Sequence, residues 1–208
     1  MKFLGKWLPL LGFRSSSDYW LRRYRLGGDS GAGSGGVSAD HKAQVLNRFV
    51  TDQQVRDVVE FGCGDGRQLQ LAQYPAYVGF DISADAVARC RQLFANDATK
   101  QFFVIGEREP EPADLALSLD VLFHLVEDAT YFAYLDQLFA AARRFVAIYS
   151  TVGPEAGKTL RHVRHRAVAQ DIAARFPDFE RMLDYEASLP APIETRPGGA
   201  RFVLYARR

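Results

Sequence analysis

Five short runs of β-branched and aromatic residues, most of them followed by a turn and a stretch of helical spacing, restrict this chain more than any other feature. The first, "VRDVVEF" (55–61), passes at once into "GCGDG" and then into the helix-compatible "RQLQLAQY" (67–74). "AYVGFD" (76–81) reads as a second strand, after which Ser83 can cap a helix over "ADAVARCRQLF". "QFFVI" (101–105), "LALSLD" (115–120) and "FVAIYS" (145–150) complete the set. Between the third and fourth, Pro110 and Pro112 remove backbone donors and predict a loop. Helices are expected over 40–50, capped by Asp40, and from Asp128 through "ATYFAYLDQLFAAARR", where apolar residues recur at helical spacing. Such alternation implies an α/β fold, a mostly parallel sheet covered on both faces. The tail differs: "FERMLDYEASL" and "ARFVLYARR" are strand-like with only a short loop between them, which predicts an antiparallel pair at the sheet edge.

A chain of 208 residues with 48% hydrophobic and 25% charged content can bury one substantial core. We expect an N-terminal segment over 1–38 and one domain over 39–208. The formal net charge of +1 gives no general attraction to nucleic acid, and no nucleic-acid partner is expected. Cys63 and Cys90 stand apart, which fits neither a disulfide framework nor a zinc knuckle; a reducing cytoplasmic compartment and no metal are expected. "MKFLGKWLPLLGF" is apolar but far shorter than the roughly 20 residues of a spanning helix. Residues 3–13 could form a weak peripheral membrane contact or pack on the domain.

A G-x-G-x-G turn after a strand lets a ligand approach the backbone, and an acid ending the next strand can take ribose hydroxyls. Gly62, Gly64 and Gly66 supply the turn and Asp81 the acid. That pattern alone fits a nicotinamide, a flavin or S-adenosylmethionine (SAM). Charge separates them: Glu60 precedes the turn and Asp65 lies inside it. Two unit charges 4 Å apart interact by about 4 kcal/mol at an effective dielectric near 20, which penalises a pyrophosphate and favours a cationic donor.

"VVEFGCGDG", "VGFDIS" and "ADLALSLDVLFHL" together resemble the first, second and fourth motifs of class I SAM-dependent methyltransferases. The resemblance implies a Rossmann-like, seven-stranded sheet with a reversed last strand. It also implies that Glu60, Gly62 and Gly64 lie at the methionine end of SAM, Asp81 at the ribose, Ile82 at the adenine and Asp120 beside the sulfonium, with Asp65 among the cofactor-binding residues. "SDYWLRRY" resembles the N-terminal cover of small-molecule methyltransferases, which places Tyr19, Trp20 and Arg23 over the cofactor. With the glycine-rich 27–36 and "HVRHR" (162–166), it resembles methyltransferases associated with bacterial polysaccharide or other glycan biosynthesis.

The glycine run neither follows a strand nor opens a helix at K-[ST], so it is not a phosphate cradle. An ordered lid and a slack linker remain; the aromatic residues just before it favour the lid. A hydroxyl acceptor profits from a base, and His124 and His165 are the candidates. His162, Arg164 and Arg166 are expected to bind an anionic acceptor such as a carboxylated or phosphorylated sugar. "SLDV" lacks the N/D-P-P-Y/F/W pattern that resemblance associates with adenine methylation. The expected function is O-methylation of a small molecule or glycan precursor. A SAM-binding partner or sensor without catalysis is the competing expectation, and a nicotinamide enzyme stands third.

Overall fold

The structure is a computed structural model and describes residues 13–153, 160–193 and 199–208. β-Branched runs form the centre of a seven-stranded sheet in the order β3-β2-β1-β4-β5-β7-β6. Its strands are β1 (Val58–Phe61), β2 (Tyr77–Asp81), β3 (Lys100–Val104), β4 (Ala113–Leu119), β5 (Ala142–Thr151), β6 (Phe179–Arg181) and β7 (Ala200–Arg207). The first five are parallel to one another, and β7 runs antiparallel to both β5 and β6. This is the Rossmann-like methyltransferase sheet that the motifs imply.

Alternate side chains of each strand enter opposite cores, as the pleat requires. Val58 and Leu117 meet Leu46 and Phe49 of α2 (Gly36–Asp52) and Val87 of α3 (Ala84–Leu93). Val59, Phe61 and Val146 meet Leu135 of α4 (Asp128–Ala140) and Ile172 of α5 (Val168–Arg175). Each such fully buried aliphatic or aromatic side chain contributes about 1.5–3 kcal/mol. The parallel strands therefore deliver the turn after β1, Asp81, Asp120 and Thr151 to one end of the sheet.

Four local expectations need correction. The helix predicted over 67–74 is a single 3-10 turn at Leu69–Leu71. Asn47 of α2 bonds the Leu71 carbonyl and the Gln73 amide, at 2.9 and 2.8 Å, so the chain leaves in extended form before Pro75. Asp40 lies inside α2, which starts at Gly36, and so does not cap it. Glu127, not Asp128, occupies the N-cap of α4; Asp128 stands in its first turn. In "FERMLDYEASL" only β6 is extended, and α6 (Leu183–Ala187) follows, because 182–189 contains no β-branched residue to favour a strand. Ser83 does cap α3, accepting from the Ala86 amide at 3.3 Å. No described helix is long and apolar enough to cross a membrane; apart from Phe13, the segment 3–13 lies outside the described residues.

Candidate active site

Glycine is required in the turn after β1 for two reasons. Gly62, Gly64 and Gly66 have φ of 82°, 59° and 78°, and a Cβ on Gly62 would lie 2.5 Å from Val121 Cγ2. The turn offers no nest for a phosphate. Gly62 and Cys63 donate their amides to the Phe80 carbonyl at 2.7 and 3.1 Å, and Gly66 donates to the Cys63 carbonyl. Gly64 donates to Asp81 Oδ2 at 3.0 Å, Asp65 to Ser30 Oγ at 3.0 Å and Arg67 to Asp65 Oδ1. Only the single 3-10 turn follows, so the dipole of a full helix is missing as well.

Beside the turn lies a cavity of about 730 Å³, lined by Glu60, Gly62, Gly64, Asp81, Ile82 and Asp120 among others. Burial pushes the Glu60 carboxyl up to about 7, opposed by the Tyr77 hydroxyl, which donates to Glu60 Oε2 at 2.6 Å, and by the Lys42 charge. Burial likewise raises Asp81 to about 6, opposed by the amides of Ser83 and Gly64. Two buried carboxyls, held above their ordinary pKa despite these partners, thus line the cavity, and a ligand with a positive charge and ribose hydroxyls would stabilise their ionised forms. Asp120 follows β4 with φ 59°, uncommon for a residue other than glycine. Its Oδ2 lies 2.5 Å from Nζ of the buried Lys42.

"SDYWLRRY" forms α1 (Ser16–Arg25), capped by Ser15. Ser16 donates its amide and hydroxyl to Glu127, at 3.0 and 2.7 Å, which docks the start of α1 on the start of α4. Past α1, Arg89 holds the Tyr24 and Gly28 carbonyls, and Ser30 bonds Asp65. The Tyr24 hydroxyl completes this cluster, 2.9 Å from Ser30 Oγ. The glycine-rich stretch is therefore pinned across the turn.

A second cavity of about 490 Å³ lies on the other side of a wall made by Trp20, Ser30, Asp120 and His124, which line both. His162 stacks on Tyr19 with ring centroids 4.3 Å apart and parallels His124 at 5.6 Å, while Trp20 meets His124 edge-on at 4.9 Å. His124 Nδ1 lies 3.0 Å from the His162 carbonyl. A carbonyl only accepts, so Nδ1 carries the hydrogen and Nε2 the lone pair. Burial lowers His124 to about 4, which keeps that lone pair available at neutral pH. Burial and the Arg23 charge also lower His162, whose Nδ1 is buried with no hydrogen-bond partner among the described residues. His165 Nδ1 lies 2.9 Å from Thr151 Oγ1.

The expected cofactor residues Trp20, Glu60, Gly62, Gly64, Asp81, Ile82 and Asp120 thus share the first cavity with His124. Tyr19, Arg23, His162 and His165 line the second. Arg23 is turned to Asp29, donating Nε to its carbonyl at 2.6 Å and Nη2 to Oδ1 at 2.9 Å. Asp65 lines neither cavity and anchors Ser30 instead. Arg164 and Arg166 differ from the expected basic rim: both pair with Asp128, at 2.8 and 2.5 Å, and neither lines either cavity. Lys42 and Ser30 escaped the sequence reading. For Lys42 a signal existed, because it shares the α2 stripe of Leu46 and Phe49 at i+4 and i+7.

Comparison with known proteins agrees with the fold. The chain is similar to the N-methyltransferase NodS from Bradyrhizobium japonicum WM9 in complex with S-adenosyl-L-homocysteine (SAH). That match has 12% identity and a TM-score of 0.66, covering 93% of this chain and 99% of that one. Magnesium protoporphyrin IX methyltransferase from Synechocystis PCC 6803 with bound SAM matches at 16% identity and a TM-score of 0.61, covering 100% and 92%. An O-methyltransferase from Bacillus cereus in complex with SAH matches at 13% and 0.58, covering 96% and 93%. No curated protein matches the sequence. The family profile described as "Methyltransferase domain" spans residues 39–185, from α2 into α6 and across both cavities, so the chain belongs to the methyltransferase-domain family of enzymes.

Proposed function

We propose that this enzyme transfers a methyl group from SAM to an oxygen of a small-molecule or sugar acceptor, such as a glycan precursor. The observation that carries the cofactor reading is the turn after β1. Its amides are consumed by the protein while Glu60 and Asp81 face the cavity as buried acids, which disfavours a pyrophosphate and suits a cationic donor. Bound there, SAM supplies an already activated methyl group, so the protein's task is alignment and exclusion of water. Glu60 and Asp120 attract the positive end, Asp81 takes ribose hydroxyls, and Ile82 packs on the base. Helix α1 and the glycine-rich stretch after it serve as the lid, with Trp20 closing both cavities.

The acceptor occupies the second cavity. His124 Nε2, on the shared wall, accepts a hydrogen bond from its hydroxyl and receives the proton as the methyl bond forms. His162 and His165 orient the remainder of the acceptor, and the buried unpartnered Nδ1 of His162 supports that role. The likeness to polysaccharide-associated methyltransferases supports a sugar, and two buried free thiols fit a cytoplasmic setting. Calorimetry with SAM and NAD, followed by SAH release across sugar and nucleotide-sugar acceptors, tests the proposal. Uptake of NAD without uptake of SAM would end it, and SAM uptake without turnover on any acceptor would favour a binding protein.

A further inference from the structure

Lys42 lines the first cavity and pairs with Asp120, which lines both, and the proposed function gives it no task. It comes from the second turn of α2, is 1% exposed, and places Nζ 2.5 Å from Asp120 Oδ2 and 5.3 Å from the centre of the Tyr149 ring. Its charge also reaches Glu60. The same Asp120 oxygen is closed from the lid side by Gly33, where a Cβ would lie 2.6 Å away. The ammonium therefore neutralises one of the carboxylates nearest to the place where the proposed site must hold a positive sulfur.

Donor and product share adenosine and an amino acid, and differ by a methyl group and one positive charge. A fixed charge next to the sulfur position consequently changes the ratio of their affinities, while contacts common to both cancel. A bare Asp120 would hold the sulfonium tightly before reaction and lose that attraction as the charge disappears, which raises the barrier. We propose that Lys42, acting through Asp120, sets how strongly the site prefers the sulfonium donor over its neutral thioether product, and holds that preference down. The inference rests on SAM being the donor.

Calorimetry of SAM and SAH at about pH 8 on the full chain gives the ratio of Kd for SAH to Kd for SAM. In K42M the ratio is expected to rise about tenfold or more, and in K42R to stay near the wild-type value. Because K42M leaves a buried carboxylate uncompensated, D120N and D120N/K42M form a second pair free of that charge. There too, removing the ammonium is expected to raise the ratio. Ratios indifferent to residue 42 in both pairs would overturn the role of Lys42 while leaving the donor intact. Wild-type protein that binds neither ligand would instead bring down the donor reading.

Discussion

Ser30 grips Asp65 at both ends of its carboxylate: the Ser30 amide donates to Oδ2 at 3.0 Å and the hydroxyl to Oδ1 at 2.7 Å, while the Asp65 amide returns a bond to Ser30 Oγ at 3.0 Å. This contact joins the glycine-rich stretch to the turn after β1, across 35 positions of sequence. Asp65 thus acts on the proposed cofactor site through the segment above it. Hydrogen bonds to a charged group contribute about 1.5–3 kcal/mol each.

Removing the Ser30 hydroxyl should therefore loosen the cover without dismantling the turn. Ser30→Ala is expected to raise the Kd for SAM by about tenfold, to expose residues 26–35 to limited proteolysis, and to lower the melting temperature of the ligand-free protein by about 2–4 °C per kcal/mol lost. A variant with wild-type affinity and wild-type protection would show that the latch does not govern binding.

Glu60 and Asp81 carry a prediction in pH. Burial raises Glu60 from 4.5 to about 7 and Asp81 from 3.8 to about 6. A carboxyl whose folded pKa exceeds its unfolded value contributes stability that is complete below the unfolded pKa and is lost as pH rises through the folded one. Relative to wild type, Glu60→Gln should gain about 3 kcal/mol between about pH 4 and pH 8 in the ligand-free state. The lowered histidines 41, 124 and 162 work in the opposite sense, but they are common to both proteins and cancel in the comparison. Affinity for a cationic donor runs the other way, strengthening in wild type as Glu60 ionises and losing most of that slope in Glu60→Gln. Thermal melts with and without SAM over this pH range measure both curves; parallel curves for the two proteins would refute the assignment.

Residues whose positions follow from their place on a strand were legible in the sequence. Glu60, Asp81 and Asp120 stand near or at the carboxyl ends of β1, β2 and β4, and β-branched runs located those strands. Segments whose conformation is decided by a distant partner were not. "RQLQLAQY" has helical composition, yet Asn47 from α2 claims its backbone, and a side chain 24 positions away leaves no local trace. Ser30 is one small polar residue among glycines until Asp65 is brought against it. Arg164 and Arg166 read as a rim for an anion because charge is visible in sequence, whereas its neutraliser, Asp128, sits 38 positions away in Arg166's case.

His124 and His165 differ in position and should separate kinetically. His124 lies on the wall shared by the two cavities, with Nδ1 bound to the His162 carbonyl. His165 lines only the second cavity and meets Thr151. If Nε2 of His124 receives the acceptor proton, His124→Ala should lower kcat by about 10²–10⁴-fold. His165→Ala should mainly raise the acceptor KM, and its Kd for SAM should stay near wild type because it does not reach the first cavity. Since burial holds His124 at about 4, the wild-type rate should show no inflection from this residue near its ordinary 6.5. Initial rates against acceptor concentration, with calorimetry for SAM, resolve the two cases. A His124→Ala enzyme with wild-type kcat would remove the base from the site, and a His165→Ala enzyme with unchanged KM would remove His165 from acceptor binding.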